Sequence, residues 1–127
     1  MHAGNRSTAR PGLSRSAWGI KRSESRGLAV DLRRGSPTYG QWEAHRLDDV
    51  RHRQLFVPAG FGHGFAVLSE EADVAYQVSS YYDPATEAGI AWDDPEVGVD
   101  WQVADPLLSE RDKQAPCLSE VADSLPF

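Results

Sequence analysis

The chain has 127 residues, 40% of them hydrophobic, and a formal net charge of −6. This length predicts a single domain with a modest core, and no apolar run approaches the roughly 18 residues that a membrane-spanning helix needs. A lone cysteine, Cys117, excludes an internal disulfide framework and points to a reducing, cytoplasmic setting.

The charge is unevenly spread. Residues 1–27 hold six of the thirteen Lys and Arg against one acid, Glu24, whereas the remaining hundred residues carry seven bases against eighteen acids. The first segment is rich in Ser, Arg and Gly, without a hydrophobic period. It predicts a basic tail, disordered or non-homologous to the rest of the chain, beside a domain over residues 28–127. No apolar stretch comes after its basic residues, so no secretory signal is expected. A basic arm on nucleic acid is a conceivable use, but no nucleic-acid-binding module accompanies it and no such partner is expected.

From Leu28 the texture changes. Leu28–Leu32 reads as a strand, Arg33–Gly40 as a turn-rich loop, and Gln41–Leu47 as a half-exposed strand with Trp42 and Ala44 on one side. Asp48–Arg53 is a charged connection, and Gln54–Val57 opens another strand before Pro58. Beyond it, Phe61, His63 and Phe65 alternate with Gly60, Gly62 and Gly64. Successive strand residues point to opposite faces, so one face carries aromatic, His and aromatic while the other admits close packing. Val74, Tyr76 and Val78 repeat the alternation after an acidic interruption. Asp83–Gly89 has the Asp, Pro and Gly signals of one helical turn, and Gly89–Trp92 and Val97–Trp101 read as short extended pieces. Asp93-Asp94-Pro95 reads as a turn. Ser109 precedes Asp112 as in a helix N-terminus, and the end from Pro116 reads as a short helix or a fraying tail. Many short strands without a long amphipathic helix predict an all-β sandwich or barrel.

The pieces AVDLRRGSPTYGQW, LFVPAGFGHGFAVLS, VAYQVSSYYDP, GIAWDDPEVGVDW and LSERDKQAP, in that order and spacing, resemble the dTDP-4-dehydrorhamnose 3,5-epimerase family, a cupin group. The resemblance covers residues 28–115. It implies a cupin-type jelly roll (incomplete here on its N-terminal side, with short helical turns near the C-terminus), a homodimer, a dTDP-4-keto-6-deoxyhexose substrate, and no metal or organic cofactor. The reaction it implies is inversion at C3 and C5, both α to the C4 ketone, by a His base paired with an Asp and by a Tyr acid.

Position by position, the resemblance makes Tyr76 the acid, Asp112 the partner of the base, His63 a contact near the nucleotide and Tyr82 an aromatic beside the sugar. Its Arg-Gly-Leu-His-aromatic-Gln motif has no counterpart. Arg26-Gly27-Leu28 runs into Ala29 where the His belongs, and the subsequent Lys strand is absent too. No residue is therefore assigned as base: His2 is expected in the tail, and His45 and His52 in exposed charged segments. A truncation or a changed reading frame upstream of residue 27 would produce this pattern. The alternative function is an inactive cupin that binds a nucleotide-sugar or a partner subunit. Loss of N-terminal strands would leave open sheet edges and marginal stability. Among alternatives from the residues alone, His63 is a core or rim histidine packed with Phe61 and Phe65, Asp112 a helix-start acid, and Trp42, Trp92 and Trp101 core or interface residues. A metal site is not expected, because no second His lies two residues from His63.

Overall fold

The computed structural model describes residues 2–3, 7–11 and 23–127, apart from 80, 82, 84 and 86; for 2–3 and 7–11 the backbone alone is described. Eight strands run β1 (His2–Ala3), β2 (Ser7–Pro11), β3 (Glu24–Asp31), β4 (Trp42–Asp48), β5 (Leu55–Val57), β6 (Phe61–Val67), β7 (Val74–Val78) and β8 (Ala88–Gly89). Two short helices come next, α1 (Glu110–Lys113) and α2 (Leu118–Val121). The strands form a five-stranded sheet in the order β4-β3-β6-β1-β8 and a three-stranded sheet in the order β5-β2-β7. The pairings are antiparallel throughout.

β3 is the spine of the larger sheet. Leu28 stands opposite Ala44 and Gly64, and Val30 opposite Trp42 and Gly62. Directly opposed residues share a face, so the β6 glycines lie on the face of Leu28 and Val30. Leu28, Val30 and Leu32 are fully buried there against Ile90, Val97, Leu118 and Leu125, with Trp42, Trp101 and Phe127 at the margin. The main core thus lies between the large sheet and the C-terminal segment. The other face turns toward the small sheet. A Cβ on Gly27 would come within 3.0 Å of Leu47 Cδ1 and 3.2 Å of Leu55 Cδ2, so the missing side chain lets these leucines close over β3.

The strands expected at 41–47, 54–57, 61–67 and 74–78 are present within a residue or so, and Ser109 caps α1 by accepting the Asp112 N–H at 3.1 Å. Other expectations need correction. The strand expected to open at Leu28 starts at Glu24 as β3, and residues 2–3 and 7–11 of the basic segment are strands. Composition hid this because the buried positions there are Ser25 and Gly27, while Glu24 is satisfied by an ion pair with Arg46 at 2.5 Å. Of the two readings of the end from Pro116, the short helix holds: α2 spans Leu118–Val121, and Leu118 and Leu125 belong to the core. Asp94 does more than turn the chain: at 2% exposure it accepts the N–H of Glu96 at 2.8 Å and of Leu118 at 2.5 Å, tying α2 to the 93–98 turn. Instead of a helical turn reaching Gly89, Ala88–Gly89 is strand and Asp83 Oδ1 accepts the Ala85 N–H at 3.0 Å. Residues 97–101 form no strand.

Gly60 closes the turn into β6 with φ of 86°, and a Cβ there would lie 2.5 Å from Arg33 Cγ. Gly60→Ala is therefore expected to cost about 1–3 kcal/mol through backbone strain and displacement of the Arg33 stem. A lower urea midpoint at unchanged m-value would register it; an unchanged midpoint would contradict it.

Candidate functional site

β6 turns its glycines to the core, which leaves Phe61, His63 and Phe65 for the opposite face. That face opens into a cleft of about 1230 Å³. The small sheet contributes Tyr76 and Val78, and the C-terminal segment contributes Trp92, Trp101, Leu108 and Asp112. Three of the four site residues expected from the sequence, His63, Tyr76 and Asp112, thus line one cleft although they come from different elements. Tyr82 lies outside the described residues.

Each is held differently. His63 is half-buried, its ring centroid 6.5 Å from that of Phe65 and tilted by 37°. Beside it the Arg33 guanidinium lies over the Phe61 ring, 4.8 Å from the centroid, within cation–π range. Tyr76 is 64% exposed on β7. Asp112 is half-buried on α1, and its Oδ2 accepts the Ser109 hydroxyl at 2.8 Å. The helix-start role foreseen for Asp112 is therefore met by the same residue that borders the cleft.

Among the described residues the cleft lining is acidic. Its described lining includes Glu70, Glu71, Asp83, Glu87, Asp105 and Asp112, against the guanidinium of Arg111, which is itself paired with Glu87 at 2.5 Å. Cys117 offers no thiolate nearby, because burial raises its pKa and the carboxylates of Asp94 and Glu120 add to the effect.

His2 was expected in a tail and is not there. It sits in β1, between β6 and β8, at the register position opposite His63 on one side and Gly89 on the other. Directly opposed residues share a face, so residue 2 holds a register position on the same sheet face as residue 63. No local pattern could have found it, because a two-residue strand has no period. In the small sheet, Ser7, Ala9 and Pro11 of β2 stand opposite Val78, Tyr76 and Val74. The β2 positions that share Tyr76's face are therefore small and uncharged. Of the remaining histidines, His45 has a half-exposed side chain 3.7 Å from Glu43, and His52 is exposed in a turn at φ 51°.

A family model described as dTDP-4-dehydrorhamnose 3,5-epimerase matches residues 21–120, starting within the basic segment. The dTDP-4-dehydrorhamnose 3,5-epimerase of Pseudomonas aeruginosa is 50% identical over 100 residues, covering 78% of this chain and 55% of that protein. The dTDP-4-dehydrorhamnose 3-epimerase of Streptomyces niveus is 52% identical over 97 residues, covering 76% and 47%. The chain spans about half the length of these curated relatives. Among solved structures, a 4-keto-6-deoxy sugar epimerase from the novobiocin biosynthetic gene cluster of Streptomyces spheroides aligns with a TM-score of 0.85 at 41% identity, covering 97% of this chain and 60% of that one. The fold is the all-β jelly roll of these neighbours.

Proposed function

Because the chain belongs to the dTDP-4-dehydrorhamnose 3,5-epimerase family, we propose that its cleft epimerises a dTDP-linked 4-keto-6-deoxyhexose by proton transfer beside the ketone. One observation carries the reading. His63 belongs to the large sheet and Tyr76 to the small one, so a proton acceptor and a proton donor approach the cleft from different walls. Inversion at a carbon needs that arrangement, since the proton leaves from one side and returns on the other.

His2 serves as the base in this reading. A neutral imidazole takes the proton from C3 or C5. The C–H electron pair moves into a C–C double bond, and the C4 carbonyl oxygen becomes an enolate. The Tyr76 hydroxyl then delivers its proton to the opposite face of the carbon, the carbonyl reforms, and solvent restores the phenol. Asp112 supports the imidazolium from the cleft wall, and His63 contacts the nucleotide end. The chain works in the cytoplasm as a homodimer, a state that sedimentation equilibrium would test.

The alternative, a cleft that binds the nucleotide-sugar without turning it over, draws on a specific observation. The β2 positions sharing Tyr76's face, Ser7, Ala9 and Pro11, offer no cation for the enolate. Proton NMR of dTDP-4-keto-6-deoxyglucose with the protein in heavy water separates the two. Loss of the C3 or C5 proton signal well above the enzyme-free rate is expected. Persistence of both signals while the nucleotide binds would establish the alternative.

A further inference from the structure

We propose that two copies of this chain join edge to edge along β4, antiparallel about a twofold axis through Ala44. The inference rests on the homodimer of the proposed function and deepens it by naming the interface. β4 is one edge of the large sheet, and among the described residues no strand lies beyond it. The opposite edge, β8, is only two residues long.

The ladder with β3 shows which groups that edge offers. Asp31 donates its N–H to Gln41 O at 2.9 Å, and Asp49 donates to Ser23 O at 3.2 Å, both in the β3–β4 register. Bonded pairs alternate along an antiparallel ladder, so Glu43, His45 and Leu47 also turn their backbone groups to β3. Those of Trp42, Ala44 and Arg46 therefore face outward. Arg53 agrees with this direction, because its Nη2 reaches Arg46 O from the open side at 2.7 Å. Arg53 is exposed, and a strand N–H can take the place of its guanidinium.

An edge with unpaired backbone groups is a template for another strand, and the side chains select a second copy in one register. With the axis through Ala44, Glu43 stands opposite His45 of the second copy, twice. Trp42 stands opposite Arg46, and alanine meets alanine at the centre. The Glu43 and His45 side chains are 85% and 49% exposed, so both are open to the second copy. A carboxylate accepts from an imidazole in either protonation state. An axis one residue earlier opposes two Glu43 carboxylates, and one residue later leaves Glu43 opposite Leu47. Opposite charges across a strand pair stabilise it and like charges destabilise it, which favours the axis at Ala44. An axis normal to the sheet keeps each face on its own side. Both clefts therefore open on the same side of one continuous sheet.

Sedimentation velocity of the full chain over a concentration series tests the interface, and a reversible dimer is expected. Ala44→Pro removes an outward N–H and spares the ladder to β3; it should leave a monomer wherever the unsubstituted chain is dimeric. Glu43→Lys should raise the dimer Kd at least about tenfold, and adding His45→Glu should restore it to within about threefold. A dimer indifferent to Ala44→Pro and Glu43→Lys overturns the interface and leaves the homodimer standing. A monomer at every concentration overturns both. Weakening in Glu43→Lys without recovery in the double variant overturns the register. Amide hydrogen exchange of the unsubstituted chain guards against a variant that fails to fold. The N–H groups of Trp42, Ala44 and Arg46 should gain protection as concentration rises, while those of Glu43 and His45, already bonded to β3, should not change. Equal behaviour of the two sets refutes the pairing. Exchange at C3 and C5 of the sugar is scored separately, so its absence sinks the catalytic reading alone.

Discussion

Asp31→Ala is expected to lower the melting temperature by about 10 °C, corresponding to about 3 kcal/mol for a domain of this size. Asp31 is 1% exposed, and the chain from residue 33 to 40 is folded around its carboxylate. Oδ1 accepts the Arg33 backbone N–H at 3.0 Å and Nε at 2.9 Å; Oδ2 accepts Arg33 Nη2 at 2.9 Å and the hydroxyls of Ser36 and Thr38 at 2.6 Å each. The backbone completes the closure, with Gly40 N–H donating to Asp31 O at 2.8 Å and Asp31 N–H to Gln41 O at 2.9 Å. Alanine leaves five donors without their acceptor. Arg33 can turn to water, since its side chain is 47% exposed, but Ser36 and Thr38 lose the group that orders the loop. Because that loop also seats Arg33 over Phe61, one wall of the cleft should loosen with it.

The same carboxylate gives stability a pH dependence of known sign. The Arg33 guanidinium, reinforced by Ser36 and Thr38 and opposed by burial, holds its pKa far below the usual carboxylate range. A group depressed on folding contributes fully above its unfolded value, about 3.9, and loses that contribution as pH falls toward the folded value. Urea midpoints of the wild type should therefore drop between about pH 4 and pH 2, and the gap to Asp31→Ala should narrow over that window. A gap of constant size down to pH 2 would show that the variant's defect is shape and not charge.

Asp31 also marks what the sequence conceals. Trailed closely by two arginines, it looks like part of a solvated turn, and only the wrap of residues 33–40 makes it a hub. The strands 42–48, 61–67 and 74–78 were legible because period-2 alternation is local, and Ser109 was legible because a cap is read within three residues. β2 and the first half of β3 were not. Their register is set by partners up to 71 residues away, and the buried positions in that half of β3, Ser25 and Gly27, carry no hydrophobic signal. The candidate site divides the same way. Alternation put His63 and Tyr76 each on a strand face, but β6 and β7 lie in different sheets, so it could not show that the two share one cleft. The resemblance offered no base immediately before the VDLR stretch, and the histidine at the register position opposite His63 enters from residue 2, on a strand whose only signal is its partner.

If the cleft is an epimerase site, His2→Asn and Tyr76→Phe should fail in different ways. Asparagine cannot take a proton near neutral pH, so His2→Asn should slow both loss of the C3 and C5 proton signals and appearance of the inverted sugar by at least about 100-fold, the usual lower bound for a lost general base. Tyr76→Phe removes the donor on the small sheet but leaves the base. The enolate still forms, its imidazolium trades a proton for a deuteron with solvent, and the deuteron returns to the face it left. Exchange should then persist at a reduced rate while inversion falls by about 100-fold or more. Nucleotide affinity, measured separately by dTDP titration, should change little in either variant. The split between exchange and inversion is what a structural role could not imitate, since a disturbed cleft would depress both together. Equal loss of both in Tyr76→Phe, with normal dTDP binding and an unchanged melt, would remove Tyr76 as the acid and make solvent the remaining donor on that side of the cleft. Undiminished exchange in His2→Asn would instead transfer the base to His63, which shares the same face of the sheet.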